Sequence, residues 1–159
     1  MLYRIQQFIK AITAKVSEEE KQWISQQLSK AECELFFKLK VHEQRHCIDV
    51  AKVLSANPCG NREMIRLGLL HDIGKIKYPL NPIEKGIIVL LDQLTKGKIQ
   101  RMTSLKIVKC YYEHAEIGYE LLKALAQYDE TFLERVRRHH SQGKGDEVLE
   151  SLKNADDSC

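Results

Sequence analysis

The sequence predicts an all-α protein, a bundle of about seven to nine helices. Three observations carry this. Apolar residues recur at helical spacing along nearly all of the 159 residues. Serines followed three positions later by glutamate, Ser17 with Glu20 and Ser29 with Glu32, mark helix starts. The 3 Pro and 8 Gly are too few for a loop-rich or all-β chain.

Each element follows from its local pattern. Leu2, Ile5, Phe8, Ile9, Ile12 and Val16 line one face of a first helix. The two capping boxes open a second helix around Trp23, Ile24 and Leu28, and a third around Leu35, Phe36 and Leu39. A fourth spans Val41–Ser55, and the stretch 57–61, with its Pro and Gly, breaks it. A fifth starts near Asn61 and runs to Gly74 or Lys77. Residues 78–82 form a loop, residues 83–95 a helix by analogy with their surroundings, and residues 96–98 a turn. Helices follow over residues 103–125, with a kink near Gly118, and over residues 130–140. Residues 141–145 are a loop, and Asp146 caps the last helix. No repeat or linker interrupts the chain, so one domain is expected, with residues 1–40 as a helical extension of a core at residues 41–159.

Composition narrows the class of function. A hydrophobic content of 43% and a charged content of 30% describe an ordinary globular domain. A net charge of +3 does not point to nucleic acid. Cys33, Cys47, Cys59, Cys110 and Cys159 are odd in number and form no C-x-x-C, as expected of reduced thiols in a cytoplasmic protein. Cys47 and Cys110 read as small core residues. The longest apolar run, residues 86–91, falls far short of the roughly 20 residues a membrane span needs. Residues 1–16 do not resemble a signal peptide.

Polar residues on apolar helix faces carry the chemistry. His71 and Asp72 follow Leu67, Leu69 and Leu70 directly. His46 shares a stripe with Val50 and Val53, with His42 one turn earlier. His114 aligns with Ile117 and Leu121, and His139 and His140 continue a stripe from Phe132 and Val136. Asp156 extends a stripe through Leu152, while Asp157 is rotated about 100° toward solvent. Each has an ordinary reading: a core histidine bonded to a carbonyl, imidazoles closing a helix, Asp72 paired with Lys75, Asp156 in a frayed tail. Together those readings need a separate device for every buried polar group. One shared metal site is more economical.

The order His46, His71-Asp72, His114, His139-His140, Asp156 resembles that of the HD-domain metal-dependent phosphohydrolase superfamily. The matching stretches are residues 45–54, residues 69–75, Glu113-His114-Ala115-Glu116-Ile117-Gly118, Arg138-His139-His140 and Ala155-Asp156, so the resemblance covers roughly residues 42 to 157. It implies an HD-type helical core. It also implies His46, His71, Asp72 and Asp156 as ligands of one metal ion, His114 and His139 as ligands of a second, and Asp72 as the bridge. His140 and the run from His114 to Gly118 are similar to the HD-GYP branch. His42 departs from that branch, which can place a carboxylate there. A larger departure follows His140: Ser141-Gln142-Gly143-Lys144-Gly145-Asp146-Glu147 lacks the Gly-Tyr-Pro element, which puts cyclic di-GMP in doubt as a substrate.

Imidazole and carboxylate ligands suit Fe, Mn, Ni, Co or Zn. Two such divalent ions would activate water for attack on a phosphorylated small molecule, a nucleotide among the candidates. Asp72 and Lys75 are the expected catalytic residues, with Lys75, Arg45, Arg138 and Lys144 as phosphate contacts. For Arg45, Arg138 and Lys144, near the histidines, a solvated basic face is the plainer reading; for Lys75, a solvated lysine closing a helix is an equal alternative. Alternatives are a di-iron oxygenase and a regulatory metal-binding module with little turnover. Residues 83–91 are expected to pack in the core, with a substrate pocket or a homodimer contact as the other options. Tyr78 to Leu80 are expected to rim the site.

Overall fold

A computed structural model of the chain describes residue 9 and residues 12–58, 60–141 and 143–159. Among the described residues there are eight α-helices and no strand. The first expected helix, over residues 2–16, lies largely outside them.

Helices α1 (Glu18–Gln27) and α2 (Lys30–Phe36) open with the two expected capping boxes. In each, the serine hydroxyl accepts from the N3 amide and the glutamate accepts from the serine amide. Glu18, Glu19 and Glu20 also place negative charge where the α1 dipole is positive. Helix α3 (Val41–Ser55) has the expected bounds. Its buried face is Cys47, Ile48, Val50, Ala51 and Leu54. Val53, expected to point inward beside His46, is 47% exposed, because the buried stripe runs through Val50 and Leu54 and turns Val53 away.

Asn61 caps α4 (Arg62–Leu70) through the Met64 amide. The helix expected to reach Gly74 or Lys77 stops here. His71 is its C-cap, Asp72 leaves the helical conformation with φ −98° and ψ 10°, and a 3₁₀ turn follows over Ile73–Ile76. Asn81 then caps α5 (Pro82–Thr95), which ends where Lys96 and Gly97 take positive φ. A further 3₁₀ turn, Lys98–Arg101, leads to α6 (Lys106–Lys123). Helix α7 (Glu130–Arg137) ends before His139 and His140, which were expected inside it. Asp146 caps α8 (Glu147–Ser158), as expected, through the amides of Val148 and Leu149.

The main core joins α1–α4, the first 3₁₀ turn, the end of α6, α7 and α8. A smaller one joins Leu80, Ile88, Ile99, Val108 and Cys110. Of the apolar run on α5, only Ile88 is fully buried; Ile83, Ile87 and Leu90 are exposed. The inward stripe of α6 is Cys110, His114, Gly118 and Leu122, not Ile117 and Leu121, which are only half-buried.

Close packing places the His71-Asp72 turn against α6. A Cβ on Gly74 would lie 1.8 Å from the His114 carbonyl oxygen and 2.6 Å from the Gly118 nitrogen. No side chain fits there without moving the backbone that carries His114. Gly118 provides the other half of the contact, as its position after His114 predicts.

A charge network ties α1 to α3. The Arg45 guanidinium reaches Glu20 at 2.7 Å and Asp49 at 2.6 Å, and Lys52 reaches Glu20 at 2.5 Å. Partial burial raises the Glu20 carboxyl, but hydrogen bonds from Arg45, Lys52 and the Ser17 amide outweigh it and hold it down to about 2. Because that folded value lies below the ordinary 4.5, the network stabilises the protein above pH 4.5 and loses its effect as the pH falls toward 2. Denaturation curves across that window should show stability dropping with pH, and Glu20→Gln should flatten the drop. Gly74→Ala should lower the unfolding free energy by about 3 kcal/mol. Gly86→Ala, on α5 with nothing within 4 Å of the new methyl, should raise it by up to about 1 kcal/mol in the same denaturation experiment.

Candidate metal centre

Six histidines and aspartates from α3, the α4 end, α6, the turn after α7 and α8 converge on Asp72 or its immediate neighbours. The Asp72 carboxylate is buried, and its two oxygens face different partners. Oδ2 lies 3.7 Å from His46 Nε2 and 3.5 Å from His71 Nε2. Oδ1 lies 3.3 Å from His114 Nε2 and 3.6 Å from His139 Nε2. Asp156 joins the first side, accepting from His46 Nε2 at 2.8 Å and lying 3.7 Å from His71 Nε2. His140 joins the second, with its Nε2 2.8 Å from His114 Nε2. Two groups sharing Asp72 are thus close enough to hold a metal ion: His46 with His71, and His114 with His139 and His140.

The two broken helices make this possible. Consecutive residues of a regular helix diverge by about 100°. The turn at Asp72 lets adjacent residues His71 and Asp72 aim at one point, and the turn after Arg137 does the same for His139 and His140, whose rings lie 3.9 Å apart.

Backbone carbonyls orient three of the rings. His71 Nδ1 donates to the Gly68 carbonyl at 2.8 Å, His114 Nδ1 to Cys110 at 2.7 Å and His139 Nδ1 to Val136 at 2.7 Å. A carbonyl can only accept, so each neutral ring presents a bare Nε2 inward. His71 Nε2, His139 Nε2 and Asp72 Oδ1 are fully buried with no hydrogen-bond partner. Acceptors crowded together without donors are costly unless a cation sits among them. The donor set of imidazole nitrogens and carboxylate oxygens fits a divalent transition metal.

The electrostatics agree with that layout. Burial raises the Asp72 carboxyl, but Lys75, His71 and the other imidazoles outweigh it and hold it well below the usual range. Asp156 is lowered likewise by His46 and His71. Burial lowers His71, yet the two carboxylates raise it overall; burial lowers His139, and Asp72 does not compensate. Burial and the rings of His139 and His114 push His140 down to about 3. Burial pushes the Cys47 thiol well up and the Cys110 thiol up to about 11, so neither offers a thiolate at neutral pH.

Lys75 is not on the helix side expected for it. It sits in the 3₁₀ turn, with Nζ 2.5 Å from Asp72 Oδ2 and 3.1 Å from Glu43 Oε2. Burial works against its charge, but Asp72 and Glu43 raise it well above the ordinary lysine value. The cluster opens into a cavity of about 960 Å³. Lys75 and Arg45 line it, although the Arg45 guanidinium is held by Glu20 and Asp49. Arg138 and Lys144 are exposed and are not part of its lining, nor is Tyr78, whereas Leu80 is. Glu43 and Lys85, which sequence reasoning passed over, do line it. Glu43 could have been noticed as the residue one turn before His46.

Among the described residues no helix is long and apolar enough to cross a membrane. Stripping the protein with a chelator and restoring Mn, Fe or Zn should raise its melting temperature, with about 4 kcal/mol of added stability at a thousandfold excess over Kd. Unchanged melting on metal addition would contradict the fit.

The HD domain family model matches residues 44–158. No curated protein and no solved structure matches the chain. The matched span takes in most of the chain and every histidine and aspartate of the cluster around Asp72, and the chain therefore belongs to the HD-domain family.

Proposed function

We propose that this protein is a metal-dependent phosphohydrolase that cleaves a small phosphoester. One observation carries the reading: the two oxygens of buried Asp72 face two separate sets of imidazole nitrogens, and the innermost of these atoms have no donor. In this reading His46, His71, Asp72 and Asp156 hold one ion, and His114, His139, His140 and Asp72 hold a second. Iron, manganese, nickel, cobalt and zinc all suit the donors. Bound there, two divalent ions would supply an activated water and neutralise charge on a leaving oxygen.

The chain's own residues do the rest. The carbonyls of Gly68, Cys110 and Val136 keep three rings turned inward and in one tautomer. Lys75 stays cationic at neutral pH and offers its Nζ to a phosphate oxygen. The contacts proposed for the substrate narrow to the cavity itself, since Arg45 is already paired and Arg138 and Lys144 lie elsewhere on the surface. Small-molecule sites run to about 300–1,000 Å³, and the cavity of about 960 Å³ is at the large end. Its wall of Ile88, Val89, Tyr111 and Tyr112 suits a substrate with an apolar or aromatic body, such as a nucleotide.

The test is hydrolysis of a generic aryl phosphate and a nucleotide panel by protein loaded with Mn or Ni. Phosphate release is expected. Oxygen uptake by the iron-loaded protein without phosphate release would replace this reading with an oxygenase, and silence in both assays with full metal content would favour a regulatory module. Asp72→Ala should lose metal and activity together; full metal content in that variant would contradict the bridge. Lys75→Met should keep the metal, measured by elemental analysis, while turnover falls about 10²–10³-fold.

A further inference from the structure

Two lysines, Lys75 and Lys85, line the cavity beside the metal-binding cluster. Glu43 is a buried carboxylate in the first turn of α3. Two lysines converge on it from different elements. Lys75 Nζ lies 3.1 Å from Oε2, and Lys85 Nζ, from α5, lies 3.1 Å from Oε1 and 3.2 Å from Oε2. His42 is beside them, its buried Nε2 3.4 Å from Glu43 Oε1. All four residues line the cavity. Burial raises the Glu43 carboxyl, but the two ammonium groups outweigh it and hold it well below its ordinary range.

The charges balance only while Asp72 is free to pair with Lys75, 2.5 Å away. When Asp72 turns both oxygens to metal ions, Glu43 alone faces two ammonium groups. Within the group of Glu43, Lys75 and Lys85, one positive charge would then be unpaired. Lys85 is its outer end: its side chain is 41% exposed, against 13% for Lys75. Asp92, farther along α5 in the same cavity wall, accepts from the Tyr112 hydroxyl.

Resting on the hydrolase reading above, we infer that Lys85 and Lys75, braced by Glu43 and flanked by His42, form a second anion-binding subsite, so that the substrate is a phosphoester bearing a neighbouring phosphate or carboxylate. A phosphoryl group at Asp72 would then be followed, one short link away, by an anionic group at Lys85. Its hydrogen bond to that lysine is charge-assisted, and such bonds are roughly twice as strong as neutral ones.

The test is calorimetric titration of the metal-loaded protein, freed of excess metal, with three non-hydrolysable ligands. Methylphosphonate carries one anionic group, methylenediphosphonate a second phosphonate, and phosphonoacetate a carboxylate. At least one of the two probes with a second anionic group should bind about tenfold tighter than methylphosphonate, and the tighter of them identifies the neighbouring group as phosphate or carboxylate. Lys85→Met should abolish that preference while metal content and methylphosphonate affinity stay within about twofold; Lys85→Arg should retain it. If the wild type shows no preference, or Lys85→Met keeps it because the second group merely chelates metal, the subsite is overturned while the hydrolase reading stands. A protein that binds neither metal nor methylphosphonate overturns both.

Discussion

The demand of one buried carboxylate organises this molecule. Asp72 is 2% exposed, and four imidazoles and an ammonium surround it. Three of those imidazoles have spent their only neutral-form proton on a backbone carbonyl. They therefore approach the carboxylate as acceptors, and acceptor against acceptor is unfavourable in a dry interior. A fold that holds such groups together without a cation bears a continuing cost. The rest of the scaffold keeps the rings in place regardless.

It does so through rigid local devices. Each Nδ1–carbonyl bond is made within about one turn of the ring's own backbone, so side-chain orientation is set locally rather than by distant loops. The contact of Gly74 with the His114 backbone fixes the spacing between the two halves of the cluster. The last helix is anchored by Leu149, Leu152 and Ala155 in the main core, which keeps Asp156 in place close to the chain end. Sites built on packed helix ends in this way are pre-organised and need little ordering when a ligand arrives.

Charge is arranged in two tiers. Glu20, Arg45, Asp49 and Lys52 form a peripheral network between α1 and α3 that is partly solvated and serves stability. Glu43, Lys75 and Lys85 form an inner one that faces the cavity. The inner tier is the more consequential because Glu43 and Lys75 are largely desolvated, so each gain or loss of a partner changes their local balance by more than it would at the surface. Its carboxylate and its outer lysine lie 42 residues apart in the chain, which is why no motif links them.

Much of this was legible from residue order alone. Capping chemistry at Ser17, Ser29 and Asp146 and the apolar periodicity located the helices, because both signals are local. The set of histidines and aspartates stood out for the same reason: polar groups on apolar faces are conspicuous against a regular pattern. Tertiary structure decided what periodicity cannot express. An unbroken helix through residues 61–77 would have sent His71 and Asp72 in different directions; the break after Leu70 turns them to one point, and the break after Arg137 does so for His139 and His140. Val53 fell on the exposed side of α3, and Glu43 and Lys85 met across the cavity. Those outcomes depend on which surfaces pack together over long separations in the chain, and helical spacing carries information only about the next turn.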